Sequence, residues 1–143
     1  MPSLTRRFMI SPRDFVRAGE VSIEIQGLLK GIGFPAEIIS RACICAYEAE
    51  MNVVIHGGKG TATLTLDEDH IIIEVEDDGP GIEDIELAFQ EGYSTAGEEV
   101  REMGFGAGMG LPNIRKNADT VELRSEKNKG AYLRMSFSVK RER

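Results

Sequence analysis

Glu48 and Asn52 stand four residues apart in a stretch whose apolar positions, Ile38, Ile39, Ala42, Cys45, Ala46, Ala49 and Val53, repeat with helical spacing. On one helix, a carboxylate and an amide so spaced project side by side from the same face. The carboxylate can take a proton from a hydroxyl or a water, a role generally worth about 10²- to 10⁴-fold in rate. The amide oxygen can anchor Mg²⁺, a hard cation that keeps several waters and shares phosphate oxygens. Glu48, Glu50 and Asn52 are equally compatible with polar positions on a solvated or capped helix face, so the pair alone does not decide.

Two glycine-rich segments follow. Asp77-Asp78-Gly79-Pro80-Gly81-Ile82 comes directly after the apolar run Ile71 to Val75. Its glycines let a backbone approach a ligand, its proline stiffens the turn, and Asp77 could accept a hydrogen bond from an amino group. An ordinary strand-ending turn has the same composition. Gly104-Phe105-Gly106-Ala107-Gly108-Met109-Gly110-Leu111 places a glycine at every second position before a predicted helix. Backbone N–H groups and a helix N-terminus arranged in this way can cradle phosphates. Gly104-x-Gly106 has no third glycine at position 109, and no Gly-Lys-Ser/Thr follows, which excludes the dinucleotide fingerprint and the P-loop. Ser94, Thr95 and Arg101 lie in the same long stretch, where hydroxyls and a guanidinium could close over phosphates. His56 and His70 lack zinc-type spacing and have no nucleophile elbow nearby, and they read as structural or surface residues. Cys43 and Cys45, two apart on a helix, diverge and read as free thiols.

The elements that must position these groups are legible in outline. A strand is expected at 5–10, and Ser11-Pro12-Arg13-Asp14 predicts a helix start with an N-cap, a Pro at N1 and an acid at N3. That helix would carry Phe15, Val16, Ala18, Val21, Ile23, Ile25, Leu28 and Leu29 and stop at Gly31 and Gly33. A second helix is predicted from Pro35 to His56, and a hairpin from the alternation at 61–66 and the β-branched run at 71–75. A short helix at 83–90, a loop from 92 to 110, a helix at 111–117 and strands at 120–125 and 131–138 complete the pattern. Strands joined as hairpins, with helices covering one apolar face, predict a two-layer α/β sandwich.

With 143 residues, 41% hydrophobic and 29% charged, the chain suits one folded domain. A net charge of -7 argues against a nucleic-acid surface and fits a protein partner better. The N-terminal residues lack the apolar core of a signal peptide, and no run is long enough to span a bilayer, so a cytoplasmic location without membrane attachment is expected.

Taken in order, Glu48-x-x-x-Asn52, Asp77-x-Gly79-x-Gly81 and Gly106-x-Gly108-x-Gly110-Leu111 resemble the N, G1 and G2 boxes of the GHKL ATPase superfamily of gyrases and histidine kinases. Within it, the short chain, Glu76 to Ile82 and Gly92-Tyr93-Ser94-Thr95 resemble the anti-sigma factor serine kinases, above all the stressosome switch kinases. The resemblance covers residues 10–138 and implies a single histidine kinase-like ATPase domain over 1–143. It also implies a Bergerat-type fold with a mixed, mostly antiparallel sheet.

By that resemblance the cofactors are ATP and Mg²⁺. Asp77 would recognise the adenine amino group, Asn52 would hold Mg²⁺, and Glu48 would activate a substrate serine. Gly79, Gly81, Ile82, Ser94, Thr95, Arg101, Gly106, Gly108, Met109, Gly110 and Leu111 would complete the nucleotide site, with an ATP lid over 91–110. The implied activity is a serine/threonine protein kinase acting on a STAS-domain partner. A sigma factor, a downstream phosphatase or a cyclase is a further partner class, and the resemblance admits a homodimer. The alternative is an ATP-dependent binding module without kinase activity. A detached histidine-kinase domain fits less well, because no helical dimerisation hairpin precedes the nucleotide motifs. Two departures stand out: Gly130-Ala131 replaces the family's Gly-Thr, and the segment 97–103 is longer than in the nearest switch kinases.

Overall fold

A computed structural model of the chain describes residues 3–56, 58–81, 89–90, 110–126 and 128–139. The described elements are β1 (Leu4–Ile10), α1 (Glu20–Ile32), α2 (Ala36–His56), β2 (Gly60–Leu66), β3 (His70–Asp77), α3 (Gly110–Asn117), β4 (Thr120–Glu126) and β5 (Gly130–Ser138). The expected helix at 83–90 and the expected loop to 109 fall outside the described residues, except for Phe89 and Gln90.

The strands form one sheet in the order β1-β2-β3-β5-β4. All four pairings are antiparallel, which corrects the expectation of a mixed sheet. Two helical passes between β1 and β2 bring the chain back at the end where β1 finished, so β2 must run the opposite way. The strands β3 and β4 point in the same direction, but the β4–β5 hairpin inserts β5 between them and no parallel pair forms.

Strand alternation sorts the side chains by face. Register places Phe8, Ala62, Val75, Leu133 and Leu123 in one row and Leu64, Ile73, Met135 and Val121 in the next. These rows lie beneath the helices, with Leu64, Ile73 and Met135 fully buried, as are Ile71 and Phe137 in the row that follows. Rows such as Arg7, Thr63, Glu74, Arg134 and Glu122 face the other way, so one layer of helices satisfies the sheet. None of the described helices is long and apolar enough to cross a membrane.

The central helix is α2, packed between α1 and α3 over the sheet. Its predicted inward positions are all buried, and the small residues Ala42, Cys45, Ala46 and Ala49 let its neighbours come close. The Cys45 thiol lies 3.7 Å from the Ile114 carbonyl of α3, and burial pushes its pKa up to about 12, so it behaves as a packed apolar group.

The entry to α1 departs most from the sequence expectation. Residues 11–19 form turns and the helix begins only at Glu20, preceded by Gly19 in the left-handed region at φ 99°. The side-chain cap comes from another helix. Glu50, 3% exposed on α2, accepts the backbone N–H groups of Gly19 at 3.0 Å and Val21 at 3.3 Å on one oxygen, and that of Ser22 at 3.1 Å on the other. A buried carboxylate at this point satisfies the orphan donors of the first turn and faces the positive end of the helix dipole. Ser22 Oγ donates back to the Gly19 carbonyl at 2.9 Å.

At the other end of the 11–19 segment, the Arg13 N–H donates to the Val54 carbonyl at 2.8 Å and its guanidinium to the Ile55 carbonyl at 3.2 Å. These contacts cap the C-terminus of α2 and hold Arg13 at φ 60°. The segment is therefore a strap tied to α2 at both ends. Val16 at 96% exposure and Ile23 at 66% are surface residues, not members of the stripe the sequence suggested.

Glu50→Ala should cost about 2–4 kcal/mol in urea unfolding, because it strands buried N–H groups at the start of α1. Glu50→Gln should cost less, since one amide oxygen still accepts.

Candidate functional site

The end of the sheet where β3 finishes also receives the C-terminal half of α2, the start of α3 and the β4–β5 turn. The residues singled out from the sequence fall into two groups there.

The first group is Glu48, Asn52 and Gly110. A methyl group at Gly110 would lie 3.1 Å from Glu48 Oε2 and 3.3 Å from Asn52 Oδ1, so both side chains reach the first turn of α3. Helical spacing puts the carboxylate and the amide on one face of α2, and packing of α3 brings a helix N-terminus to them. Leu111 does a different job: at 7% exposure it anchors α3 in the core beside Ile114. Burial pushes the Glu48 carboxyl above its ordinary value, which makes it a stronger proton acceptor than a solvated glutamate.

The second group is the turn after β3. Ile71, Ile73, Val75 and Asp77 share the helix-facing side of the strand, so Asp77 ends an apolar stripe with a half-buried carboxylate. Its Oδ1 accepts the Gly79 N–H at 2.8 Å and the Gly58 N–H at 3.5 Å. These bonds fix the carboxylate orientation, while Oδ2 accepts no hydrogen bond among the described residues. Asp78 is exposed and accepts the Lys59 N–H at 2.7 Å, which ties the turn to the start of β2.

This turn rests on the β4–β5 hairpin. Gly81 sits at φ 81°, and a Cβ there would meet the Glu126 carbonyl at 2.6 Å. Gly130 sits at φ 96°, and a Cβ there would meet the Asp77 carbonyl at 1.8 Å. The Asn128 N–H donates to the Pro80 carbonyl at 2.9 Å. Gly81 and Gly130 are thus required by backbone contact between two turns. Ala131 pairs with Asp77 across the β3–β5 ladder, so the departure from Gly-Thr lies beside that carboxylate.

Ile82, Ser94, Thr95, Arg101, Gly106, Gly108 and Met109 lie outside the described residues, as does all of the expected lid before Gly110. The reading from sequence missed Glu50 and Gly58 as determinants of the site, and noted Gly130 only through the motif Gly130-Ala131. Gly58 carried the local signal of a glycine following a helix end, and Gly130 that of a glycine closing a hairpin turn.

The described residues fit a nucleotide with a divalent ion. No group of three or more His, Cys, Asp or Glu side chains placed to hold a metal ion occurs among them, so an ion held by the Asn52 amide oxygen would take its other ligands from phosphate oxygens and waters. The start of α3 beside them offers N–H donors suited to phosphate.

Glu48 ionises against its burial, so its charge weakens the fold once the pH rises through its elevated pKa. Glu48→Gln should therefore raise the melting temperature at pH 8. The gain should shrink as the pH falls below the carboxylate range, where wild-type Glu48 is also neutral. Gly130→Ala should lower stability at every pH, since strain at positive φ and a backbone clash do not titrate; thermal melts across pH separate the two effects.

Comparison with known proteins places the chain in a family. The family model described as histidine kinase-, DNA gyrase B- and HSP90-like ATPase matches residues 37–141. An anti-sigma F factor of Caldanaerobacter subterraneus subsp. tengcongensis is 33% identical over 108 residues, covering 76% of this chain and 68% of the relative. An anti-sigma F factor of a Thermoanaerobacter species is 39% identical over 94 residues, 62% of each chain. The match thus spans less than two thirds of that relative. The serine/threonine-protein kinase RsbT of Bacillus subtilis is 28% identical over 124 residues, covering 84% of this chain and 85% of the kinase. Among solved structures, the mycobacterial sensor histidine kinase MprB superposes with a TM-score of 0.51 at 13% identity, over 94% of this chain and 97% of that one, which shows a shared fold. With most of its length matched, from the start of α2 to beyond β5, the chain belongs to the family of histidine kinase-, DNA gyrase B- and HSP90-like ATPases.

Proposed function

We propose that the chain is an ATP-dependent serine/threonine protein kinase that phosphorylates a STAS-domain regulatory protein in a partner-switching pathway. The observation that carries this reading is the meeting of Glu48, Asn52 and the first turn of α3 at Gly110. It puts a proton acceptor and an oxygen ligand beside a helix N-terminus suited to phosphate.

In this reading Asp77, its orientation fixed by the Gly79 N–H, accepts a hydrogen bond from the adenine amino group. Asn52 contributes an amide oxygen to Mg²⁺, which when bound offsets charge on the phosphates. The Glu48 carboxylate takes the proton from the acceptor hydroxyl as its oxygen becomes nucleophilic, and desolvation of Glu48 favours that transfer. Ile82, Ser94, Thr95, Arg101, Gly106, Gly108 and Met109 enter as nucleotide contacts on the strength of the sequence motifs alone.

The similarity to a protein named a serine/threonine kinase supports catalysis, and the similarity to proteins named anti-sigma factors supports a sequestering output from the same pocket. The two outputs are separable. Incubation with Mg-ATP and the STAS protein encoded nearest in the genome should yield phosphoserine by mass spectrometry. Glu48→Ala should cut transfer by about 10²-fold or more while ATP affinity is kept. ATP-dependent complex formation without phosphate transfer would leave only the binding module. For the pocket, Asp77→Asn should weaken ATP about 10- to 100-fold in calorimetry, as an oriented charged acceptor is replaced by an amide. Unchanged affinity would remove Asp77 from the adenine site.

A further inference from the structure

Beyond the nucleotide end, α2 has an outer face that neither α1 nor α3 covers. There the structure forms an open groove of about 810 Å³, with α2 as its floor and α1 and α3 as its walls. It runs from Phe34, at the α1–α2 connection, along Ile44 and Tyr47 to Glu48. The stretch of α2 from Ala36 to Glu48 makes it roughly 18 Å long by helical rise, the length of a three-turn helix or a short extended strand.

Three features of this groove point to an occupant. Ile44 at 39% and Tyr47 at 38% exposure are unusual on a helix whose other apolar residues are mostly buried, and both line it. Lys30 lines the α1 wall, and among the described residues it has no ion-pair partner, in a chain with 24 acidic residues and a net charge of -7. The groove ends on Glu48, the side chain that also reaches the first turn of α3. A segment lying in the groove would therefore bring its end to the proposed proton acceptor. Asn113 on the α3 wall adds an amide able to pair with a peptide backbone.

Building on the kinase reading above, we propose that this groove docks the acceptor protein, through a segment with apolar side chains over Ile44 and Tyr47 and an acidic residue against Lys30. The acceptor hydroxyl lies at the Glu48 end. Apolar contact supplies affinity and the Lys30 pair fixes direction along the groove, since a reversed segment would place its acid away from the lysine.

The test uses the full chain loaded with Mg-ATP and the genomically adjacent STAS protein as probe, with affinity read by calorimetry and phosphate transfer read separately. Ile44→Asp and Lys30→Glu alter exposed side chains and should leave ATP affinity and melting temperature near wild type. Each should weaken STAS binding at least 10-fold, and an acid-to-lysine change in the STAS segment should restore binding to Lys30→Glu but not to Ile44→Asp. Wild-type affinity in both variants would overturn the groove assignment, as would failure of the unmodified chain to bind the probe. A changed sedimentation mass in Ile44→Asp would assign the groove to a second copy of the chain and also overturn it. Loss of transfer with binding and its groove dependence intact would overturn the kinase reading and leave the docking surface standing.

Discussion

The contact between the Glu50 carboxylate and the N-terminus of α1 sets the geometry of the helical layer. Successive residues on a helix turn by about 100°, so positions two apart point about 200° from each other. With Glu50 committed to α1, Glu48 and Asn52 are turned to the other side of α2, only about 40° apart, where α3 packs. One buried acid therefore fixes the rotation of α2, and the rotation turns Glu48 and Asn52 toward α3. Arg13 supports the same arrangement from the opposite end by binding the last carbonyls of α2.

The sheet end is organised by a different force, the close approach of backbones. Asp77, Gly79 and Pro80 rest against Gly130, Asn128 and the start of β2 through main-chain contacts that leave no room for side chains. Rigid turns of this kind can hold a carboxylate in one orientation without help from a large core. The Glu48–Asn52 group is thus positioned by helix packing and the Asp77 group by turn packing, and the two meet because α2 ends where β3 ends.

The burial that makes Glu48 a better base also makes its charge a cost to the fold. Glu50 shows the contrasting case: it is more deeply buried, yet its oxygens are met by backbone N–H groups. The same residue type, two positions away, is held by three backbone N–H groups in one case and has its charged form disfavoured by burial in the other.

Much of this was legible locally. The period-two alternation of β2, the apolar stripe of β3 ending in Asp77 and the i, i+4 spacing of Glu48 and Asn52 are covalent facts that the sheet and α2 preserve. Gly33, Gly81 and Gly130 marked turns for the same reason, since each takes a positive φ that glycine adopts without strain. The start of α1 was not legible. Ser11-Pro12-Arg13-Asp14 is a sound local start signal, but it lost to a carboxylate about thirty residues away that satisfies more buried donors. Nor could local pattern separate Glu50 from Glu48, or place β5 between β3 and β4. Sequence by itself determined which residues share a face of one element. Which face meets which neighbour was decided by tertiary packing, because burial and hydrogen-bond satisfaction are properties of the assembled chain.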